Sequence, residues 1–361
     1  MIHLRSRCLA LLAFAIVPVI GCSSVGPDVI DPKTTERTQT SLIAIEKGGG
    51  GEILRYSEQS GIVSTSDYSN ANGGAALNRV DAIYEQFDSL YLQHRATGEI
   101  SVLSLKNRKQ GSIITGFPID SAGGFDGMAF SNRSQAWVIN YGTPSLYQVD
   151  IWANKIVAST NIPLPGNPTC VGTDGRVVFV CTELADGTGR VSFLESNGGG
   201  VFPIEKTLDF PSPIVYATQS YDSTRMFFLS SGGPTDDAKP TLYIVTRDGL
   251  NLDGSFAIES PNIRSYIGKE PTFAATSARG YIYLGLPNAI VQVDPVAGTS
   301  FDLYPGNFPV IGVDYDSDLL YAYAPGSLSI KRYTDAGENL SDIAVPGDVS
   351  WIKFISTGRI P

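Results

Sequence analysis

The sequence predicts an all-β protein, a seven-bladed β-propeller closed by its N- and C-terminal strands in one blade. The first observation is an apolar segment of strand length that recurs seven times along the 361 residues, at intervals of 38 to 56 residues. A repeat of this period built from strands is typical of propeller blades. The copies occupy 41–48, 89–96, 135–142, 177–184, 225–232, 281–288 and 319–326. Their third residues, six aromatic and one β-branched, are Ile43, Tyr91, Trp137, Phe179, Phe227, Tyr283 and Tyr321.

The second observation is that further strand-like segments keep step with this repeat. An inner-strand candidate precedes six of the copies, at 79–86, 125–132, 168–174, 214–222, 271–279 and 309–318. A third strand follows each copy, at 51–58, 98–105, 145–152, 189–196, 241–248, 289–296 and 327–334. A more variable fourth strand comes next, for example 111–117 and 155–161. Four strands per repeat is the composition of a propeller blade.

The third observation concerns the two ends of this pattern. The first copy, 41–48, has no inner strand before it, whereas 349–356 reads as an inner strand with nothing after it. Pairing these two segments completes a seventh blade and leaves no unpaired inner edge. The uneven spacing of the copies leaves a β-sandwich or an open array as the alternative.

The N-terminal residues are typical of a bacterial lipoprotein signal peptide. Arg5 and Arg7 precede an apolar stretch, 9–20, that is too short to span a bilayer as a mature helix. The stretch closes on Val-Ile-Gly-Cys at 19–22, which resembles a lipobox. The resemblance implies that residues 1–21 are removed and that Cys22 is lipidated. An ordinary secretory signal or an uncleaved anchor is the alternative.

Three segments follow from this interpretation. Residues 1–21 are the signal peptide, residues 22–40 are a flexible tether rich in Ser, Thr, Pro and Asp, and residues 41–361 are the propeller domain. Ser23 follows the cysteine where Asp would favour inner-membrane retention, so we expect an outer-membrane lipoprotein facing the periplasm or the medium. The net charge of −10 disfavours nucleic acid and anionic lipid surfaces as partners. Membrane attachment is therefore expected through the N-terminal lipid alone.

Two cysteines remain in the propeller domain. Cys170 and Cys181 flank a hairpin turn at 173–176. A four-residue loop, 174–177, would place them directly opposite each other, whereas a two-residue loop would make them diagonal neighbours, which is a poorer distance for a disulfide. An oxidising compartment favours the bond. The alternative is a pair of small buried hydrophobic residues.

The chain resembles the YncE-like seven-bladed propellers of bacterial envelopes over residues 41–356. The resemblance rests on PTCVGTDGRVVFVC at 168–181, PTFAATSARGYIYLG at 271–285 and PVIGVDYDSDLLYAY at 309–323. It implies the fold, and it implies no site residues. Some surface propellers of this broad class capture nutrients such as corrinoids or siderophores beside an outer-membrane transporter, so the resemblance implies a small-molecule ligand or an outer-membrane partner protein.

Polar residues at loops and strand ends are the candidates for binding. We expect them on the propeller face that carries the turns after the second strands and the connections between blades, because opposite turns such as 173–176 and 278–280 are too short to build a pocket. The second strand ends in a polar residue in five blades (these ends are called the polar strand exits) and in Leu286 or Ala324 in the other two. One side of this face is therefore polar and the other apolar, as in a site for an amphiphilic ligand. The alternative is turn chemistry, in which Asn and Asp bond their own backbone. The candidates are Glu46, His94, Asp126, Asn140, Asn167, Asp236, Glu270, Asn307 and Asp348.

Signals for catalysis are weak. The domain contains one histidine, His94, expected to face solvent, and it lacks a nucleophile-elbow motif and a zinc-type Cys/His cluster. The Asp-rich segment 314–318 starts like a calcium loop, but Leu319 replaces the required Gly. We therefore predict no cofactor, no metal and no catalytic residue, and a non-catalytic binding function. The alternative is a metal-dependent lactonase or lyase that uses Asp126, Asn167, Glu270 and Asn307.

The lipid anchor generates a direct prediction. Cys22→Ser removes the acceptor for the lipid, so we expect the protein to leave the membrane fraction with its fold unchanged. Membrane fractionation followed by a high-salt wash measures this, and the melting temperature of the released protein is the control. A variant that stays membrane-bound after the wash contradicts the anchor.

Overall fold

Seven antiparallel sheets arranged around a common axis form the structure, as the repeat predicts. It is a computed structural model that describes residues 40–355 apart from 48–49, 58–60, 120–124, 133, 158–160, 175–176, 196–203, 221–222, 234–238, 261–262, 268–272 and 315–316. The predicted signal peptide, Cys22 and nearly all of the tether lie outside the described residues. Two short helices are described, α1 (Asp67–Ala71) and a 3₁₀ turn at Arg264–Tyr266. Neither is long and apolar enough to cross a membrane.

Six blades are continuous in sequence, and each begins with its innermost strand. Blade 2 contains β4 (Ala82–Gln86), β5 (Ser89–His94), β6 (Glu99–Ser104) and β7 (Gln110–Ile114). Blade 3 contains β8 (Phe125–Phe130), β9 (Gln135–Asn140), β10 (Thr143–Asp150), β11 (Lys155–Ile156) and β12 (Ile162–Pro163), the last two both pairing with β10. Blade 4 contains β13 (Asn167–Thr173), β14 (Val177–Glu183), β15 (Gly189–Glu195) and β16 (Ile204–Phe210).

The remaining three continuous blades have the same order. Blade 5 contains β17 (Ile214–Gln219), β18 (Arg225–Ser230), β19 (Thr241–Thr246) and β20 (Leu252–Ala257). Blade 6 contains β21 (Ala274–Thr276), β22 (Ile282–Gly285), β23 (Ala289–Asp294) and β24 (Thr299–Pro305). Blade 7 contains β25 (Val310–Val313), β26 (Leu320–Tyr323), β27 (Ser329–Tyr333) and β28 (Ile343–Ala344).

Blade 1 is built from both ends of the described chain, which confirms the predicted closure. Its strands are β29 (Asp348–Ile355), β1 (Thr40–Lys47), β2 (Gly50–Ser57) and β3 (Gly61–Ser64), from the axis outward. The ladder between β1 and β29 runs from the Thr40–Ile355 pair to the Glu46–Asp348 pair, with one bulge beside Ala44. Inner strand β29 also contacts the inner strands of blades 7 and 2. The ring is therefore closed.

The repeated aromatic residues lie in the seams between blades. All seven repeat positions are at most 3 % exposed. Tyr91 of blade 2 shares a core cluster with Tyr147 of blade 3, and Trp137 of blade 3 shares one with Val180 of blade 4. Each aromatic ring thus fills the space toward the next blade and removes apolar surface from water.

The first copy of the repeat departs from this rule. Ile43 belongs to the cluster that includes Tyr321 of blade 7, whereas Leu42 and Ala44 belong to the cluster shared with blade 2. The residue that corresponds to the aromatic position is therefore a neighbour of Ile43, and the alignment of this copy was wrong by one residue. A shift of one residue moves a side chain to the other face of a sheet.

Two faces of the propeller can be defined from the strand directions. The turn face carries the turns between first and second strands and between third and fourth strands. The loop face carries the turns between second and third strands and the connections between blades. Thr40 begins β1 and pairs with Ile355, which ends the inner strand β29. Inner strands end at the turn face, so β1 begins and β29 ends at that face.

The two cysteines of the propeller are bonded. Cys170 of β13 and Cys181 of β14 stand directly opposite each other, with a Cα–Cα distance of 4.9 Å. The register pairs Thr173 with Val178, so the intervening loop is the four-residue alternative, 174–177. Asp174 organises this loop by accepting a hydrogen bond of 2.7 Å from the backbone N–H of Val177.

Closure by β29 makes a stability prediction. Deleting 349–361 removes the partner of β1 and the buried side chains of Val349, Ile352 and Ile355. Loss of a buried Ile costs about 2–5 kcal/mol, and about 2–4 °C of melting temperature is lost per kcal/mol for a domain of this size. We expect a fall of more than about 10 °C in calorimetry. A chain ended at Ile355 is the matched control. Equal melting of the longer deletion and the full chain contradicts the closure.

Candidate functional site

His94 and Asn140, two of the polar strand exits, are buried. His94 is 2 % exposed and Asn140 is fully buried. The two ring nitrogens of His94 lie 2.9 Å from the carbonyl oxygen of Arg79 and 2.9 Å from the Ser101 hydroxyl. Asn140 donates to the carbonyl oxygen of Pro118 at 2.5 Å. The expectation that His94 faces solvent is wrong, because these side chains hold the connection that enters their own blade.

Glu46 and Asp348 lie beside each other at the loop face. They are paired in the ladder between β1 and β29. Glu46 forms an ion pair of 2.6 Å with Arg79. Asp348 accepts hydrogen bonds from the Tyr323 hydroxyl and, at 3.1 Å, from the backbone N–H of Gly326. The hydrogen bond from Tyr323 is the main cause of the lowered pKa of Asp348. Glu46 therefore contacts the connection between blades 1 and 2, and Asp348 contacts blade 7.

Asn167 belongs to a polar cluster that sequence analysis did not find. It hydrogen-bonds Tyr141. Tyr141 donates to Glu183 at 2.6 Å, and Glu183 also pairs with Arg264 at 3.3 Å. Burial, followed by the contact with Glu183, raises the pKa of Tyr141 to about 12. The cluster ties loop-face segments of blades 3 and 4 to the connection between blades 5 and 6.

The other predicted site residues are described only in part. Asp126 lies on β8, but its side chain is outside the described residues, as are Asp236 and Glu270 entirely. Asn307 is exposed in the connection before β25. Within the described part of the chain, no three His, Cys, Asp or Glu side chains are grouped so that they could hold a metal ion. Among the predicted residues whose side chains are described, Glu46 and Asp348 lie beside each other, and the grouping of all nine at one site stays a prediction.

Two cavities occupy the central channel instead. The first, called the polar cavity, has a volume of about 550 Å³ and is lined by strands β13, β17 and β21. Blades 4 and 6 are not neighbours, so a cavity that touches both must lie on the axis. Its polar lining includes Thr173, Tyr216, Thr218, Gln219, Thr276 and Ser277. These residues end the inner strands at the turn face, so the expectation that this face is too tight for a pocket is wrong.

The second, called the apolar cavity, has a volume of about 370 Å³. It is lined by inner strands of blades 6, 7, 1 and 2, and it also lies on the axis because blades 6 and 2 are not adjacent. Its lining includes Tyr84, Ala275, Val313, Trp351, Lys353 and Phe354. Ala275 and Thr276 are consecutive on β21 and line one cavity each, so the two cavities adjoin.

Hydroxyl groups in the polar cavity form a connected chain across two blades. The Tyr216 hydroxyl lies 2.8 Å from the Thr276 hydroxyl, which donates to Thr218 at 3.1 Å. Burial raises the pKa of Tyr216, so this phenol stays protonated. Ser277 is 2 % exposed, and its hydroxyl has no hydrogen-bond partner among the described residues. A buried hydroxyl without a partner costs about 1–3 kcal/mol, which a ligand atom could offset.

Two ionisable residues, Lys353 and Glu85, lie on the other side of the channel. Lys353 lines the apolar cavity, and Glu85 lies on the neighbouring inner strand β4. Burial lowers the pKa of Lys353 and raises that of Glu85, and the attraction between the two partly opposes both shifts. Sequence analysis missed these residues because it considered loops, although a charge inside an apolar inner strand was a visible signal.

Comparison with known proteins supports the fold. Nothing matches the chain among protein-family profiles or curated proteins. Two solved structures, from Bacteroides fragilis and Bacteroides uniformis, bear the name "putative 6-phosphogluconolactonase". Each is 15 % identical with a TM-score of 0.65, and the matches cover 90 % and 89 % of this chain and 100 % of the two others. A functionally unknown protein from Desulfotomaculum acetoxidans matches over 88 % of this chain and 99 % of its own, with 13 % identity and a TM-score of 0.59.

The environment of His94 predicts a pH dependence of stability. Burial lowers its pKa from 6.5, and the Arg79 carbonyl, Asp81 and Glu99 only partly offset this. The unfolded chain therefore binds the proton first as the pH falls. Stability from the neutral ring is present above about pH 6.5 and is lost below it, by at most about 1.4 kcal/mol per pH unit.

Urea denaturation of the wild type and of His94→Gln between pH 5 and 8 measures this effect. His94 is the only histidine among the described residues, so we expect the wild type alone to lose stability between pH 6.5 and 5. Parallel curves for the two proteins would contradict the assignment.

Proposed function

We propose that this protein is a lipid-anchored envelope propeller that binds a small amphiphilic molecule in its central channel without transforming it. The observation that supports the proposal is the pair of adjoining cavities on the axis. One is lined by hydroxyl and amide groups, and the other is lined by aromatic and aliphatic side chains. Volumes of about 370 and 550 Å³ fall within the usual range for small-molecule sites.

The chemistry of the two cavities favours a ligand with two different ends. The hydroxyl chain of Tyr216, Thr276 and Thr218, with the unpartnered Ser277, suits a polar end that exchanges hydrogen bonds. The aromatic walls at Trp351 and Phe354 suit an apolar end, at about 25 cal/mol for each Å² removed from water. We expected polar and apolar residues to be separated at the strand exits; the inner strands carry this separation instead.

Rigidity of the walls also favours binding. The lining residues lie on inner strands of closed sheets, which hold them with little conformational freedom to lose when a ligand binds. The polar strand exits contribute indirectly, because His94 and Asn140 fix the connections from which their inner strands start.

The sequence supports an envelope location for the protein. The lipobox-like segment and the tether support anchoring in the outer membrane through Cys22, and the resemblance to YncE-like propellers supports an envelope role. A partner of the kind expected is an outer-membrane protein that receives or supplies the ligand.

A lactonase is the second candidate, favoured by the name of the two Bacteroides structures. At 15 % identity these structures support the fold alone. Of the four residues considered for this chemistry, the described part of the chain includes the side chains of Asn167 and Asn307 only. Hydrolysis of 6-phosphogluconolactone by the purified protein, dependent on a divalent cation, would favour this candidate over binding alone.

Binding in the channel can be tested by filling it. Ala275→Trp places a large side chain at the wall of the apolar cavity, so we expect the affinity for N-phenyl-1-naphthylamine, a neutral apolar fluorophore, to fall at least about tenfold, or 1.4 kcal/mol. Ala336→Trp, in an exposed turn of blade 7, is the matched control. Fluorescence titration gives the affinities, and melting temperatures check the fold. No binding to the wild type, or equal binding to both variants, would contradict a channel site.

A further inference from the structure

We infer that Lys353 receives an anionic group of the ligand, so that the molecule bound in the channel is an amphiphilic anion such as a carboxylate or sulfonate on an apolar body. This inference rests on the proposed channel-binding function and specifies the ligand class.

The fold fixes the position of Lys353. Lys353 pairs with Leu42 in the ladder between β29 and β1, and it immediately precedes Phe354. Leu42 belongs to the core cluster shared with blade 2, and Ile352 and Phe354 pack toward blade 7. Alternation along the strand therefore directs Lys353 toward blade 2 and the axis, where it lines the apolar cavity.

The Lys353 amine has no close partner for its charge among the described residues. Lys353 is the only residue with a formal charge among those that line the apolar cavity in the described part of the chain. No hydrogen bond, and no ion pair within 4 Å, joins it to a described residue. Placing an ammonium among apolar side chains without a partner is costly, and burial accordingly lowers its pKa.

Glu85 does not complete the pair. It is the acidic residue whose charge acts on Lys353, but the two side chains are not within ion-pair distance, and Glu85 is absent from the lining of the apolar cavity. Burial raises the pKa of Glu85, and the charge of Lys353 opposes this rise only in part. An anion in the cavity would approach Lys353 from the open side, whereas Glu85 would repel it.

The walls of the cavity define the rest of the ligand. Tyr84, Trp351 and Phe354 offer aromatic surfaces beside the amine, and Val313 and Ala275 complete an apolar enclosure. A small inorganic anion would leave these surfaces empty, and an anion that carries an aromatic or aliphatic body would cover them. The adjoining polar cavity accommodates a hydroxyl-bearing extension past Thr276.

Two probes with one skeleton test the inference. N-phenyl-1-naphthylamine is neutral, and 8-anilinonaphthalene-1-sulfonate has the same rings with an added sulfonate. The ratio of the two affinities, measured on one preparation by fluorescence titration, reports the contribution of the anionic group and is insensitive to a change in the folded fraction. We expect the wild type to prefer the sulfonate, and Lys353→Met to lower its affinity at least tenfold while leaving the neutral probe within twofold.

Three further variants sharpen the test. Lys353→Arg keeps the charge and should keep the preference for the sulfonate. Glu85→Gln should strengthen sulfonate binding severalfold, because a repelling carboxylate is removed; weakened binding would show that Glu85 and Lys353 act as a structural pair and would overturn the inference. Lys331→Met, which removes a half-buried lysine that pairs with Asp342 on the outer part of blade 7, is the matched control and should change neither affinity.

The outcomes separate this inference from the proposed function. If the wild type binds neither probe, the channel-binding function fails and the inference fails with it. If the wild type binds both probes and Ala275→Trp abolishes both, but Lys353→Met leaves their ratio unchanged, the channel binds ligands and the assignment of an anion to Lys353 is wrong.

Discussion

The pairing of β29 with β1 is the interaction on which the rest of the structure depends. Each blade buries its aromatic seam only against the next blade, so the ring is stable only when the last seam is also formed. The chain achieves this by giving the innermost strand of blade 1 to its C-terminal end and the other three strands to its N-terminal end. No inner strand is then left with an open edge.

Closure also determines where chemistry can occur. Seven inner strands converge on one axis, so residues distant in sequence, such as Tyr84, Thr276 and Lys353, line one channel. The loop face has a different role in the residues that are described. Several of its polar side chains contact each other or the backbone, as in the contacts of His94 with Arg79 and Ser101. Polar groups there position the inner strands, and polar groups on the inner strands face the channel.

Much of the fold could be predicted from the sequence because the repeat is strong and the unmatched segments at 41–48 and 349–356 reveal the closure. Details that depend on tertiary contacts could not. In the first copy Leu42, Ile43, Ala44 and Ile45 are all apolar, so the sequence does not show which of them faces the next blade. The burial of His94 depends on a carbonyl 15 residues earlier in an irregular connection. The candidate site moved from the loops to the inner strands for the same reason, since only the closed ring shows that Thr218 and Thr276 line one cavity and that Tyr84 and Lys353 line another.

The central claim is that ligand binding occurs in the channel, between the inner strands. A crystal structure of the protein with bound 8-anilinonaphthalene-1-sulfonate tests it most directly. We expect electron density for the rings between Tyr84, Trp351 and Phe354, with the sulfonate within hydrogen-bond distance of the Lys353 amine. Density for the dye only at the loop face, around Glu46 and Asp348, with an empty channel, would contradict it.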